Sequence, residues 1–417
     1  MKRRVVVTGI GAVSPLGADV GSLWSNLMAC KSGIGLIETF DTSDCPAKIA
    51  GNVPGGESGF NPDLYMTPAE QRRVDLFIIY AIAAAQQAYL DAGYDSLTEE
   101  QKQRAAVILG SGIGGVSRLY DTSVVLHQEG ARRVSPFFIP SVLVNLAAGH
   151  VAIRHGFMGC NYSVVSACAT GTHSIGEAYR QIQHGYTDFA LAGGAEAGAC
   201  RLGVTGFAAA KALSTNFNNS PEKASRPWDR QRDGFVVGEG AGVIALEDLE
   251  SAKKRGAKIY GEIIGYGASC DAFHITAPLK EGTGAALAMQ NALDDACISK
   301  EDIQYINAHG TSTPAGDLAE IVAMKKVFGD HAYKLNVSST KSAMGHLLGA
   351  AGSVEAIICL LAMQNNIVPA TLNLEDPDEG CDLNLTPLVP QEREISIVMN
   401  NSFGFGGTNG SLIFKKF

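Results

Sequence analysis

Hydrophobic positions along the chain follow two alternating rhythms. Short β-branched runs such as Val5-Val6-Val7 alternate with longer Ala/Leu-rich segments whose apolar residues recur at helical spacing. That alternation is the signature of an α/β fold, in which helices cover the faces of a sheet. The runs predict strands over 4–9, 105–110, 162–166, 188–193, 234–247, 259–268, 303–308, 335–338, 394–400 and 411–415. The periodic segments predict helices over 19–29, 68–92, 169–184, 284–296, 317–327 and 347–365. Two stretches break both rhythms. Residues 214–233 are rich in Asn, Ser, Pro and charge, and residues 369–390 carry Pro369, Pro377, Pro387 and Pro390, so both read as loops. The charged stretch 250–258 reads as a joint between two halves. Those halves share a pattern: a strand, then SACATGTH and a helix in one, and a strand, then STKSAMGH and a helix in the other. Each strand delivers a reactive residue to a helix start, which suggests a duplicated unit.

Composition narrows the class. The 417 residues are 46% hydrophobic and 18% charged, with 48 glycines and a mean hydropathy of +0.07. At about 150 residues per domain, the length allows two or three domains. Such a chain is too apolar to be disordered, and its glycines lack the period of collagen. The net charge of −9 weighs against nucleic-acid binding, which favours a basic excess. No run of about 18 uncharged apolar residues predicts a membrane span; the longest candidate, 350–368, contains Glu355. The opening MKRRVVVTGIGAVSPLG is interrupted by Thr8, Ser14 and Pro15, and reads as a strand and turn rather than a signal peptide. Nine scattered cysteines read as reduced thiols in a cytosolic compartment. CxxC, HExxH and EF-hand patterns are missing, so neither a metal nor a cofactor is expected.

Four segments carry candidate chemistry. Cys168 stands where a strand gives way to a small-residue helix, and a helix N-terminus lowers a thiol pKa and favours the nucleophilic thiolate. His309, in Asn307-Ala308-His309-Gly310-Thr311-Ser312-Thr313, ends another strand beside three hydroxyls that could cap a helix or bind an amide-rich arm. Lys341 and His346 precede a third helix; a buried Lys341 would need an acidic partner, and Glu355 is the obvious one. Asn401-Ser402-Phe403-Gly404-Phe405-Gly406-Gly407 is a backbone-dense turn that can present N–H groups to an oxyanion, or simply a tight hairpin. Two glycine motifs fall short. Gly9-Ile10-Gly11 lacks the third glycine and the distal acid of a dinucleotide site, and Gly110-Ser111-Gly112 lacks the lysine of a phosphate loop.

Together the segments VVVTGIGAVSPLG, ACATGTH, AHGTST, KSAMGH and NSFGFGGTNGSLIFKKF resemble the 3-oxoacyl-[acyl-carrier-protein] synthases, condensing enzymes of fatty-acid synthesis with the thiolase fold. The resemblance runs the whole length and is strongest to the second, elongating type. It implies a five-layered α-β-α-β-α fold from two duplicated halves, residues 1–256 with the nucleophile and 257–417 with two histidines. It implies a cytoplasmic homodimer whose partner is acyl carrier protein, with no membrane or nucleic-acid role.

By the same resemblance, Cys168 takes the acyl chain as a thioester. His309 and His346 bind the malonyl thioester carbonyl and assist decarboxylation, and the carbanion then attacks the acyl group. Lys341 paired with Glu355 supports the histidines. The backbone N–H groups of Cys168 and Phe405 hold the oxyanion, and Phe405, with Phe403 beside it, gates the nucleophile. Thr311 and Thr313 bind the pantetheine arm, and Ile113 and Phe207 line the acyl pocket. Arg72, Arg73, Arg132, Arg133 and Lys211 form the basic docking patch. Ser166 and Cys270 stand where other small residues are expected.

Competing readings are distinguishable. A thiolase uses a second cysteine near the C-terminus, where this chain has NSFGFGGTN. A non-catalytic chain-length subunit loses the nucleophile, which is kept here. A polyketide ketosynthase shares the chemistry but usually differs around the cysteine.

Overall fold

The computed structural model describes residues 2–56 and 59–417. Its main sheet has ten strands. The first five are β1 (Val5–Val13), β2 (Ala105–Gly110), β3 (Asn161–Tyr162), β4 (Phe189–Glu196) and β5 (Gly240–Asp248). The second five are β6 (Gly261–Cys270), β7 (Tyr305–Asn307), β8 (Asn336–Ser338), β9 (Ile397–Gly404) and β10 (Thr408–Lys415). They lie in the order β8-β7-β9-β10-β6-β1-β5-β4-β2-β3.

Read outward from the centre, one half repeats the other. β1 is antiparallel to β5 and β5 to β4, whereas β4, β2 and β3 are parallel. Likewise β6 is antiparallel to β10 and β10 to β9, whereas β9, β7 and β8 are parallel. Within this sheet the two sets of strands join where Val5–Val7 pair with Gly261–Ile263. The duplication that the sequence pattern suggested is therefore carried by the strand order.

Six helices complete the layers: α1 (Leu76–Asp91), α2 (Val116–Glu129), α3 (Thr170–Gln183), α4 (Thr283–Ala296), α5 (Pro314–Phe328) and α6 (Ala351–Asn365). α3 and α6 touch each other and strands of both halves, so they form the middle layer. α1 covers β1, β4 and β5 on one outside; α4, backed by α5, covers β6 and β10 on the other. The result is the expected α-β-α-β-α stack. Residues 348–365 have the length and apolarity of a membrane span, contrary to expectation, but Ala351–Met363 are all buried as the core of that middle layer.

β1 is buried along its whole length, because helices cover both of its faces. Its glycines serve packing: a Cβ on Gly9 or Gly11 would lie 2.3 or 2.0 Å from carbonyl oxygens of α1.

Several expected boundaries shift. The helix over 68–92 is two helices, because buried Asp75 caps a new start by accepting from Phe77 N. The strand over 162–166 ends at Tyr162, the one over 234–247 begins at Gly240, and the joint over 250–258 includes the helix Leu249–Lys254. α2 was not anticipated, since every residue along it is at least partly exposed and it shows no core stripe.

Candidate active site

The site assembles where strand ends from both halves meet. Cys168 sits in a 3-10 turn, Ala167–Ala169, that leads into α3. Ala167 adopts φ 48°, a left-handed conformation uncommon for a residue with a Cβ. The expected lowering of the thiol is overturned. Burial pushes Cys168 up to about 11, outweighing the backbone of Phe405 and the charge of Lys341, which act to lower it.

His309 follows β7 in a turn that Glu320 holds: the backbone N–H groups of His309 and Gly310 each donate to its carboxylate at 2.8 Å. Glu320 stands in α5 and burial pushes it up to about 7. His346 is fixed by its own backbone N–H, which donates to Val236 O at 2.7 Å. The two imidazole rings lie 5.3 Å apart at 84°, with Phe403 5.8 Å from His309 and Phe235 5.3 Å from His346. Burial and then the nearby Lys341 charge hold both histidines well below their ordinary value, so both are neutral near pH 7. Both ring nitrogens of His346 and Nδ1 of His309 are buried without a hydrogen-bond partner among the described residues. Such atoms are costly unless a bound group meets them.

Lys341 Nζ donates to Glu355 Oε1 at 2.5 Å, and both side chains are buried. Burial raises Glu355 and the Lys341 charge opposes it. Thr311 and Thr313 approach each other at 3.0 Å between their hydroxyls. Their turn is anchored by buried Asp317, which accepts from Ser312 N at 3.1 Å and pairs with Arg232 at 3.4 Å.

One cavity of about 360 Å³ is lined by Cys168, His309, His346, Thr311, Thr313 and Phe405, among others. Phe403, Phe207 and Lys211 also face it. Ile113 does not line the cavity; it stands behind, near Gly198, and is 38% exposed. The basic residues divide. Arg73 stacks over Phe137 at 4.6 Å, Arg133 pairs with Glu129 at 3.1 Å, and Arg132 is exposed beside it. Arg72 lies in a separate surface groove with Arg118.

Residues 2–252 match the beta-ketoacyl synthase N-terminal domain and residues 260–375 its C-terminal domain. The chain belongs to the beta-ketoacyl synthase family. Its members are condensing acyltransferases with the thiolase fold, and this chain is one of them. A protein of Rhizobium meliloti named 3-oxoacyl-[acyl-carrier-protein] synthase 2 is 53% identical over 100% of this chain and 99% of its own length. A beta-ketoacyl synthase structure from Burkholderia phymatum aligns with TM-score 0.92 at 35% identity, covering all of both chains. A ketosynthase structure described with its type II polyketide-synthase acyl-carrier protein aligns with TM-score 0.90 at 30% identity, again covering all of both.

For a beta-ketoacyl synthase, the geometry is chemically coherent. A thiol, two neutral imidazoles with free nitrogens and a pair of hydroxyls face one space, so a thioester carbonyl can meet both nucleophile and donors. Sequence reasoning passed over Glu320, Asp317 and Glu196. Glu196 accepts from Ser111 Oγ at 2.6 Å and from the backbone N–H groups of Gly112, Ile113 and Gly349. Acids inside otherwise apolar segments are the one signal that could have flagged them.

Proposed function

We propose that this chain is a 3-oxoacyl-[acyl-carrier-protein] synthase of the elongating type. The observation that carries the reading is the convergence of Cys168, His309 and His346 on one cavity. In the first step the Cys168 sulfur attacks the acyl thioester carbonyl. The carrier thiol leaves with the proton that Cys168 gives up, so no net charge forms. Backbone N–H groups of Cys168 and Phe405 meet the transient oxyanion. In the second step the malonyl thioester carbonyl binds His309 and His346, and its C–CO₂ bond breaks. The resulting enolate carbon bonds to the acyl carbon, the bond to Cys168 sulfur breaks, and the released thiolate takes a proton. The products are a 3-oxoacyl thioester, carbon dioxide and the free thiol.

Lys341 with Glu355 sets the electrostatics of the histidines, Thr311 and Thr313 hold the pantetheine arm, and Phe405 and Phe403 gate the entrance. Phe207 and, from behind, Ile113 shape the acyl end. The boundary between the nucleophile half and the histidine half is set at 256/257. The protein acts in the cytoplasm as a homodimer. Support for the dimer comes from exposed Leu119 and Leu126 on α2, exposed Phe137 and Ile139 just after it, and the open edge of β3. The 53% identity to a protein named 3-oxoacyl-[acyl-carrier-protein] synthase 2, against 30% to the type II polyketide ketosynthase, favours fatty-acid elongation.

The deciding experiment is intact-protein mass after mixing with a saturated acyl-carrier-protein thioester, then peptide mapping. The expected result is an acyl adduct on Cys168 that malonyl-carrier protein discharges as 3-oxoacyl product; a folded protein with no adduct overturns the reading. For docking, reversing Arg132 and Arg133 to Glu raises KM for carrier-bound substrates several-fold more than for small thioester mimics. Equal changes on both substrates would remove these residues from the carrier surface.

A further inference from the structure

A third histidine packs behind the turns that build the site, and the reaction above leaves it without a role. His173 points from α3 and is 8% exposed. Its Nδ1 is 2.7 Å from Ser166 Oγ, and its Nε2 is 3.2 Å from the backbone oxygen of Asn409. A carbonyl oxygen only accepts, so Nε2 carries the proton. Nδ1 then offers a lone pair, and the Ser166 hydroxyl donates to it. Burial pulls the imidazole pKa down and keeps this neutral form.

The two ends of the ring reach two particular segments. Ser166 lies two residues before Cys168, and Asn409 lies four residues after Phe405. Cys168 and Phe405 supply the two N–H groups that meet the oxyanion. These segments already pack tightly: a Cβ on Gly404 would lie 3.0 Å from Ser166 O and 3.2 Å from Cys168 N. A Cβ on Gly410 would lie 3.0 Å from the His173 ring itself.

We propose that His173 is a positioning residue which, through Ser166 and Asn409, fixes the separation of the two oxyanion donors. The inference rests on the proposed condensing reaction. Donor placement matters steeply there, since a displacement of about 1 Å costs on the order of a hundredfold in rate.

Three variants separate the two links. Ser166→Ala removes the hydroxyl alone. His173→Asn carries an amide near the place of Nδ1 but is too short for Asn409. His173→Gln carries one near the place of Nε2 and turns away from Ser166. Three rates are read: acyl transfer from an acyl thioester to Cys168, full condensation, and carbon dioxide release from a malonyl thioester alone. The last uses His309 and His346 but not the oxyanion pair.

The expected result is a fall of about tenfold to a hundredfold in acyl transfer and condensation, in kcat rather than KM, with carbon dioxide release within about twofold of wild type. Losses of equal size in all three rates would mean general damage and overturn the proposal. So would variants whose acyl transfer matches wild type. Should the His173 variants fail to fold, Ser166→Ala, which deletes one oxygen at a half-buried position, decides alone. A wild-type protein that neither takes the acyl group nor condenses overturns the underlying reading instead.

Discussion

After β3 the chain passes through the 3-10 turn Ala167–Ala169, with Ala167 at φ 48°, and enters α3. After β8 it passes through the 3-10 turn Leu348–Ala350, with Leu348 at φ 50°, and enters α6. The same strained turn at the same helix start thus occurs once in each half, and it sets Gly349 where the other half has Cys168. A Cβ on Gly349 would lie 2.3 Å from Gly112 N and 2.8 Å from Glu196 Oε2. The second copy is crowded where the first is open to the cavity, so its chemistry sits three residues earlier, at His346. The strand ends after β2 and β7 form a second matched pair. Glu196 gathers the amides of Gly112 and Ile113, and Glu320 gathers those of His309 and Gly310. A duplicated fold therefore supplies the backbone devices twice, and local packing decides which copy can carry a reactive side chain.

The sharpest way to break this comparison is to move the nucleophile. Cys168→Ala lowers acyl transfer and condensation by about four orders of magnitude or more. Adding Gly349→Cys to that variant restores nothing, because the second turn has no room to face the cavity. An acyl adduct at residue 349, seen by peptide mapping, would show that crowding does not separate the halves.

The two carboxylate clamps make the next test. Glu320→Gln replaces one acceptor oxygen with a donor and leaves an amide N–H of the His309 turn unpaired. The expected loss in kcat is about a hundredfold, by displacement of the imidazole. Glu196→Gln disturbs a wall rather than a reacting ring, so its kcat falls less than about tenfold while stability drops by about 1–3 kcal/mol. Urea unfolding and steady-state rates on both variants check this, and the reverse ranking would contradict it. The crowding itself is measured by Gly349→Ala, which costs about 1–3 kcal/mol of stability by overpacking. Cys168→Ala, at the matched position, costs less than about 1 kcal/mol.

Much of this was legible in the sequence, for reasons that also explain what was not. The helix that became α6 stands out because nearly all of it is buried and its residues are mostly apolar or small, and α3 because its buried apolar residues recur at helical spacing beside an exposed polar face. Cys168, His309 and His346 stand in the turns and connections that follow strands, where glycines and hydroxyls mark them. α2 carries no stripe because its apolar residues face outward rather than into the core of its own chain. Glu320 could not be found by spacing: it lies eleven residues beyond His309 and returns to it only because α5 folds back over β7. The thiol pKa was misjudged because a helix start is visible in a sequence and the depth of a cavity is not.

The halves also titrate differently, and this is the smallest effect expected. His309 and His346 have pKa values held well below the ordinary 6.5 by burial and by Lys341. The unfolded chain binds protons at these positions first as pH falls, so each histidine makes the folded state lose stability below pH 6.5 and contributes a flat term above it. The slope is about 1.4 kcal/mol per pH unit for each fully neutral ring. Cys168 has its pKa raised, to about 11, so it is a neutral thiol in both states throughout the acid range and adds no slope there. Urea midpoints between pH 7 and 5.5 should therefore fall less steeply in His346→Gln than in wild type, by about 1 kcal/mol over that range. Cys168→Ala should follow the wild-type slope. Parallel slopes in all three proteins would mean that His346 takes up its proton in the folded state over the same pH range as in the unfolded chain, and that burial and Lys341 do not hold it neutral there.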